Sequence, residues 1–284
     1  MSFINKVFLG LRSVFCSLNV MLKFRTIKVM EQLNKDSDYI VSITTFPPRI
    51  KHVELTIKSI LLQSVKPAKI ILYLSDSQFR YEILPNSLKR LEKYGLTIKF
   101  VKGDIRSYKK LFYAKAEYPL MHIITADDDV CYPIDWLEKI IDTARKYPDD
   151  IIFYRGHLMV DESGIILPYK EMLNKKTDGI KTSLFFLPTG VCGILYPPGS
   201  MHSDWSDINK IGKLAPTADD IWFKAMTLLE NKKCTRVYDY NVLFPPVLGS
   251  QKFSLKKINV DSEGFNNDKQ IDMVFTHYGL MRNE

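Results

Sequence analysis

Three consecutive aspartates, Asp127, Asp128 and Asp129, are the side chains of this sequence best suited to chemistry. They follow residues 122–126, which have the apolar composition of a buried strand. Alternate residues of an extended segment point the same way, so Asp127 and Asp129 can converge on one side. Two carboxylates suit Mg²⁺ or Mn²⁺, which keep open positions for phosphate oxygens and water. The sequence therefore predicts a divalent-metal site here. The alternative is a solvated acidic turn, with Asp129 near a helix N-terminus.

A second acidic pair, Asp219 and Asp220, opens a predicted helix over residues 218–230. One of these carboxylates can act as a general base or anchor a substrate hydroxyl. The structural alternative makes Thr217 the helix N-cap and places both carboxylates at the positive end of the helix dipole. The residues alone leave both interpretations open.

The basic candidates are Arg106, Lys109 and Lys110, with Arg49 shortly after the first predicted strand. Such side chains can neutralise a diphosphate, although a solvated helix face explains three of them equally well. His277, late in the chain, either completes a metal shell or packs as an ordinary histidine.

Several familiar site types lack their signatures. The sequence contains no HExxH, GxGxxG, GxxxxGK[ST] or GxSxG pattern, so zinc-protease, dinucleotide-binding, P-loop and α/β-hydrolase assignments are not supported. Its four cysteines form no CxxC pair and no disulfide framework, which favours a reducing, cytoplasmic compartment.

Alternating strands and helices must position these residues. Strands are predicted over residues 39–45, 69–74, 96–101, 122–126, 151–155 and 189–196, and helices over 52–63, 86–94, 133–147 and 218–230. This alternation predicts an open, mostly parallel α/β sheet, in which ligands bind beyond the carboxyl ends of the strands. Thr44, Thr45 and Asp76 stand at two of those ends and join the candidate site.

Residues 1–38 form a separate basic segment. Lys6, Arg12, Lys23, Arg25 and Lys28 precede the first acidic residue, and apolar residues recur at helical spacing. The longest uncharged run, residues 13–22, is too short to span a membrane. This amphipathic helix can lie on an anionic membrane surface; the alternatives are a helix docked on the protein's own core or a frayed terminus.

The overall composition limits the partners. With 46% hydrophobic and 25% charged residues, the chain is globular rather than disordered, collagenous or coiled-coil. The net charge of +8 suits anionic partners. Nucleic acid is not an expected partner, because no stacking motif or zinc finger accompanies the charge.

Residues 40–49, 69–76, 124–130 and 216–222 together resemble bacterial glycosyltransferases of the GT-A fold, specifically the family 2-like enzymes of capsule or lipopolysaccharide synthesis. The likeness covers about residues 39–250. It implies a Rossmann-like, open, mixed and mostly parallel sheet flanked by helices. It also implies one domain over residues 39–284, with a nucleotide-sugar half (39–150) and an acceptor half (151–284).

The resemblance also implies roles for individual residues. Thr44 and Thr45 would line the nucleotide pocket and Asp76 would lie near the base. Asp127 would face the nucleotide-sugar, Asp129 would hold the metal, and Asp220 would be the catalytic base with Asp219 as its rival. The expected donor-binding residues are Thr44, Thr45, Arg49, Asp76, Arg106, Lys109, Lys110, Asp127 and Asp128, and the expected metal ligands are Asp127, Asp129 and His277. A Thr-Ala-Asp-Asp helix start replaces the usual Glu-Asp pair, which affects the choice of base.

The expected function is metal-dependent transfer of a sugar from a nucleoside diphosphate, expected to be UDP, to a glycan or glycolipid hydroxyl. Mn²⁺ or Mg²⁺ is the expected cofactor. The expected location is the cytoplasm, at the inner face of the cell membrane if the basic segment binds lipid. The alternatives are a sugar nucleotidyltransferase, which usually has an early glycine-rich loop where this chain has Thr-Thr-Phe-Pro-Pro, and a non-catalytic sugar- or nucleotide-binding module on the same fold.

Overall fold

The computed structural model describes residues 3–26, 33–253 and 266–280, without the side chains of residues 3–8, 252 and 253. Lys28 and the side chain of Lys6, which contribute to the predicted basic segment, lie outside the described residues. The chain divides into two compact units. The first comprises Met1–Asp142 and Leu243–Ser254, and the second comprises Thr143–Val242 and Leu255–Glu284. The single domain with halves at 39–150 and 151–284 stays a prediction.

The first unit is built on parallel strands. They are β1 (Tyr39–Thr44), β2 (Lys69–Ser75), β3 (Leu96–Val101) and β4 (His122–Ala126), in the order β3-β2-β1-β4. Ile43 pairs with Leu72 of β2 on one side and with Ala126 of β4 on the other. The central strands are nearly continuous apolar runs because helices cover both faces of a parallel sheet. The carboxyl ends of β1 and β4 therefore meet at one edge.

The helices of this unit are α1 (Phe3–Thr26), α2 (Val53–Leu61), α3 (Asn86–Lys89) and α4 (Lys109–Glu117). Residues 136–142 of a further helix, α5 (Trp136–Lys146), also belong to it. The apolar face predicted for α2 is buried at Val53, Ile57, Ile60 and Leu61. A 3-10 turn, Arg90–Tyr94, continues α3 and ends at Gly95, whose φ of +106° is the left-handed cap that the sequence predicts.

The second unit is mixed. Its strands are β5 (Ile151–Phe153), β6 (Gly156–Leu158), β7 (Thr182–Ser183), β8 (Phe186–Pro188), β9 (Ile194–Tyr196) and β10 (Cys234–Arg236). The order is β9-β5-β10-β7, with β5 and β10 parallel and the outer pairs antiparallel, while β6 and β8 pair separately. Its helices are α6 (Tyr169–Asn174), α7 (Ile208–Leu214), α8 (Asp219–Leu229) and α9 (Asn267–His277). Together the two units confirm the predicted mixed, mostly parallel α/β class.

One predicted strand is shorter than expected. The sequence predicts a strand over residues 189–196, but β9 begins only at Ile194. Cys192 has a φ of +79° and Gly193 a φ of +102°, and a strand cannot accommodate these left-handed conformations. Residues 189–193 consequently form a loop that leads into β9.

The predicted N-terminal helix forms as α1 and rests on the first unit. Among its described side chains, which are those of residues 9–26, Ser13, Ser17 and Val20 are buried, and Phe24 meets Tyr94 edge to face with ring centroids 5.1 Å apart. Within the described ranges, helices that combine the length and apolarity needed to cross a bilayer are absent.

Candidate functional site

The three aspartates form a turn directly after β4. Asp128 and Asp129 are buried and Asp127 is half-buried. The backbone N–H of Asp127 donates to the Tyr132 hydroxyl at 2.9 Å, and the backbone carbonyl of Asp129 accepts from the N–H of Val247 at 2.7 Å. The turn is therefore fixed from both ends, at the edge of the sheet where β1 also finishes.

Arg49 binds two of these carboxylates at once. It ends the 3-10 helix Pro47–Arg49 that follows β1, where the prolines preset the backbone angle of the turn. Its Nη1 lies 2.7 Å from Oδ1 of Asp128, and its Nη2 lies 3.1 Å from Oδ2 of Asp129. Thr45 donates its hydroxyl to the other Asp128 oxygen at 2.5 Å. Both oxygens of Asp128 thus accept from protein groups, and its predicted donor-binding role stays a prediction.

The basic residues at the start of α4 and in the 3-10 turn before it make different contacts. Nζ of Lys110 lies 2.8 Å from Oδ1 of Asp127, and the Lys110 carbonyl accepts the Ser42 hydroxyl. Lys109 is buried and pairs instead with Asp104. Arg106 is exposed and has a φ of +55°. Of the four predicted diphosphate-binding cations, Arg49 and Lys110 contact the aspartates of the turn.

Two further predicted site residues stand at neighbouring strand ends. The Thr44 hydroxyl donates to the carbonyl of Tyr73 at 2.9 Å, so it ties β1 to β2. Asp76 is exposed just past β2, and its Oδ1 accepts the N–H of Gly103 at 2.9 Å. Their position at the carboxyl edge agrees with the sequence, whereas their binding roles stay predictions.

Burial perturbs the protonation of the aspartate turn. Burial, reinforced by the charges of Asp127 and Asp128, raises the pKa of Asp129 to about 7, although Arg49 opposes the shift. Burial also raises the pKa of Asp128, against the opposing effects of Arg49 and Thr45. The positive charge that the protein supplies is therefore not enough to keep Asp129 in the ordinary carboxylate range.

The donor set at this turn fits a divalent cation. Asp127 and Asp129 offer hard carboxylate oxygens, and Mg²⁺ or Mn²⁺ is commonly held by one or two carboxylates together with substrate phosphates. Burial raises the pKa of Asp129 as it does that of other buried carboxylates, and a cation bound beside it would oppose this shift. Across the described ranges, three or more His, Cys, Asp or Glu side chains nowhere gather as a ready-made metal cage.

His277, the third predicted metal ligand, lies at the end of α9 in the second unit. Its ring is exposed and meets the Tyr278 ring edge to face, with centroids 4.7 Å apart. Its metal role stays a prediction.

The acidic pair of the second unit begins α8. Ala218 is the N-cap and makes no side-chain capping bond. The Thr217 hydroxyl instead accepts from Nε2 of Gln270 at 2.9 Å, so the alternative that made Thr217 the cap is wrong. Asp219 is buried and Asp220 is half-buried.

Asp220 is held by the loop that precedes β9. Its two carboxylate oxygens accept the backbone N–H of Gly190 at 3.1 and 3.2 Å. Burial, and then the nearby Asp220 charge, raises the pKa of both Tyr169 and Tyr196. The carboxylate thus has a fixed position beside one buried phenol, Tyr196, and one half-buried phenol, Tyr169. Arg155 contributes an opposing positive charge at Tyr169.

Sequence reasoning missed some of these contacts. Gln251 donates to Oδ2 of Asp129 at 3.1 Å from 122 positions away in the chain, and nothing local in the sequence signals it. The sequence does contain a signal for Arg155. It is a polar residue at the end of the predicted strand 151–155, the same kind of position that made Asp76 a candidate.

A groove of about 780 Å³ lies elsewhere in the first unit. Its lining includes Ile40, Lys69 and Thr97, which stand at or near the amino-terminal starts of β1, β2 and β3. Ligands of parallel α/β sheets bind beyond the carboxyl ends, so this groove is not assigned to the site.

The chain matches no protein-family model and no curated protein sequence. Similar solved structures include residues 1–349 of Staphylococcus aureus TarS, with 14% identity and a TM-score of 0.47 over 72% of this chain and 58% of that chain. A second is the mannosyltransferase PcManGT from Pyrobaculum calidifontis in complex with GDP-Man and Mn²⁺, with 10% identity and a TM-score of 0.49 over 97% of this chain and 77% of that one. A third is 4-diphosphocytidyl-2C-methyl-D-erythritol synthase from Anaerococcus prevotii, with 14% identity and a TM-score of 0.44 over 77% and 95%. Such values assign no function to this chain.

Proposed function

We propose that this protein is a metal-dependent glycosyltransferase that moves a sugar from a nucleoside diphosphate, UDP, to an acceptor hydroxyl. The observation that carries the proposal is the buried aspartate turn at the carboxyl end of β4, where the pKa of Asp129 is raised to about 7. This edge of a parallel sheet is where ligands bind, and its two candidate ligands are of the kind that hold Mg²⁺ or Mn²⁺ beside phosphate.

The donor diphosphate is the first requirement of this chemistry. Asp127 and Asp129 would hold the cation, which when bound supplies positive charge to the departing diphosphate. Nζ of Lys110 lies 2.8 Å from Oδ1 of Asp127. When the donor binds, this ammonium group would donate a hydrogen bond to a phosphate oxygen in place of part of its interaction with Asp127. The exposed Arg106 is a second cation for the diphosphate, and Thr44 and Asp76 would face the nucleoside.

Arg49 has a positioning role in this proposal. Its guanidinium spans Asp128 and Asp129 and therefore fixes the orientation of the Asp129 carboxylate. Because it is buried with its partners, it organises the turn before any ligand arrives.

The acceptor hydroxyl must lose a proton as it attacks the anomeric carbon. We assign this task to Asp220, with Asp219 as the alternative base. The contact of Asp220 with the N–H of Gly190 fixes the position of a carboxylate, the kind of group that can accept a proton from a hydroxyl. The acceptor in this proposal is a glycan or glycolipid of capsule or lipopolysaccharide synthesis, and the reaction takes place at the inner face of the cell membrane.

Nucleotide binding gives the first test. Thermal unfolding of the full chain is measured with UDP, GDP, CDP and ADP, each with and without Mn²⁺. We expect UDP to raise the Tm only when Mn²⁺ is present, because a ligand that binds the folded state stabilises it. A flat response to all four nucleotides with the metal present contradicts the proposal.

Turnover gives the second test, with Asp129→Asn and Asp220→Asn compared with the wild type in a UDP-release assay. Both changes keep the side-chain volume, and each should lower kcat by at least about a hundredfold, because metal binding or proton transfer is lost. Asp135→Asn is the matched control, since Asp135 forms a surface pair with Lys139. Wild-type rates in both folded variants contradict the assignment, and release of pyrophosphate instead of UDP would identify a sugar nucleotidyltransferase.

A further inference from the structure

Helix α1 attaches to the first unit by its small residues. Ser13 donates its hydroxyl to the carbonyl of Pro246 at 2.6 Å, and the Ser17 hydroxyl accepts the N–H of Leu248 at 3.3 Å. Val20 is the buried apolar residue of this face. Phe24, near the end of the helix, adds the edge-to-face contact with Tyr94, so the helix is fixed to the protein by these residues and not by its most exposed apolar side chains.

Four large apolar side chains of α1 face outward. Leu11, Phe15, Leu18 and Leu22 are 64%, 74%, 53% and 59% exposed, respectively. Their spacing of four, three and four residues places them on one side of the helix, and we call this set the outer stripe. A helix that only packed on its own protein would turn such residues inward, so the outer stripe is the reverse of the usual arrangement.

The charges of α1 identify what covers the outer stripe. The helix contains no acidic residue, while Arg12, Lys23 and Arg25 are exposed. Basic residues beside an exposed apolar stripe match a surface that is negative above and apolar below, which describes an anionic lipid bilayer. A second copy of the chain fits less well, because two such helices would bring cations together with no acidic residue on either α1 to pair them.

We propose that α1 is a membrane-docking helix, which places its outer stripe in the headgroup and acyl boundary of an anionic bilayer and its basic residues among the lipid phosphates. The underside of α1 also reaches the candidate site, since the Ser17 hydroxyl lies 3.8 Å from Sγ of Cys131, two residues after Asp129. The docked helix would hold the aspartate turn near the lipid surface. This last consequence rests on the proposed function, whereas membrane docking itself does not.

Vesicle flotation of the full chain tests the proposal. Phosphatidylcholine vesicles are compared with vesicles that also contain phosphatidylglycerol. We expect binding to the anionic vesicles, and a loss of at least about tenfold in partitioning for Phe15→Ser combined with Leu18→Ser, because apolar contact is removed. Changing Arg12, Lys23 and Arg25 to Gln should cost about a hundredfold, and added salt should weaken the wild type.

Leu120→Ser is the matched control, because Leu120 is 84% exposed but lies outside α1. It should bind vesicles as the wild type does. Circular dichroism and UDP-dependent thermal shifts should be unchanged in all variants, so failure of docking is distinguished from failure of nucleotide binding. Absence of vesicle binding by the wild type, equal binding by the outer-stripe variant, or a dimer in sedimentation that Phe15→Ser dissociates would each overturn the proposal.

Discussion

Nη1 of Arg49 lies 2.7 Å from Oδ1 of Asp128, and these two side chains are only 10% and 7% exposed. A buried ion pair contributes little net stability when complete, because desolvation opposes the attraction. Losing one partner is costly, since the other charge then remains buried without compensation. The pair therefore makes the aspartate turn depend on a residue that belongs to a different strand end.

We predict that Arg49→Met destabilises the protein by about 3–5 kcal/mol, because Asp128 and Asp129 lose their shared cation. Urea unfolding measures the change. Lys139→Met is the control, because the Lys139–Asp135 pair is 42% and 39% exposed and should cost less than about 1 kcal/mol. Equal losses of unfolding free energy in Arg49→Met and Lys139→Met would show that the Arg49–Asp128 pair matters no more to stability than a surface pair.

The neighbouring cations Lys109 and Arg106 should respond differently to substitution. Lys109 is 2% exposed and bound to Asp104, so Lys109→Met should cost about 2 kcal/mol of folding stability. Arg106 is exposed, so Arg106→Gln should change stability by less than about 0.5 kcal/mol. Under the proposed function Arg106→Gln should nevertheless weaken UDP binding several-fold. Calorimetry of both variants checks this, and a reversed pattern would refute the division of roles.

Close backbone approach at Gly156 gives a third prediction. A Cβ placed there would lie 2.7 Å from the Leu187 carbonyl oxygen and 2.7 Å from the Phe153 ring. Gly156→Ala should therefore destabilise the protein by about 1–3 kcal/mol through overpacking. Gly212→Ala in α7 is the control, since nothing lies within 4 Å of its Cβ position, and it should stabilise the helix by up to about 1 kcal/mol. Thermal unfolding reports both, and a neutral Gly156→Ala would contradict the packing described.

His122 should make stability depend on pH. Burial lowers its pKa below the usual 6.5, and the charge and backbone of Asp38 only partly oppose this. The unfolded chain therefore takes up a proton before the folded protein does, so the contribution of His122 to stability is complete above pH 6.5 and is lost as the pH drops below it. Asp129, whose pKa is raised to about 7, contributes with the opposite sign in every variant. In chemical unfolding from pH 8 to 5, the free energy of unfolding of the wild type should therefore fall relative to that of His122→Gln. His52→Gln is the control, and identical slopes in all three proteins would exclude His122 as a source.

The sequence predicted the fold correctly where the pattern of apolar residues within a segment matches the burial of that segment in the structure. The runs that became β1, β2 and β4 are apolar because the central strands of a parallel sheet are covered on both faces, so composition identified them. The edge strand β3 was identified by its alternation of apolar and polar residues. Gly95 marked the end of a helix for a similarly local reason. Short strands such as β10 went unpredicted because three residues carry too little periodicity to detect.

The candidate site was accessible only in part. The strand-end rule located the aspartates and Thr45, because topology brings the ends of adjacent parallel strands together. The pairing of Arg49 with Asp128 was not foreseeable, since residues 79 positions apart meet through the sheet. The same limit applies to Gly190 and Asp220, whose contact depends on a loop with left-handed backbone at Cys192.

The stretch Leu243–Ser254 belongs to the first unit although residues 143–242 are synthesised before it. Val247 and Pro245 in this stretch provide the backbone partners of Asp129 and Cys131, at 2.7 and 2.9 Å. A ribosome therefore releases β4 long before the residues that anchor the turn behind it. During translation the backbone groups of Asp129 and Cys131 are therefore hydrated until the intervening hundred or so residues have been synthesised, and only then can the aspartate turn take its final form.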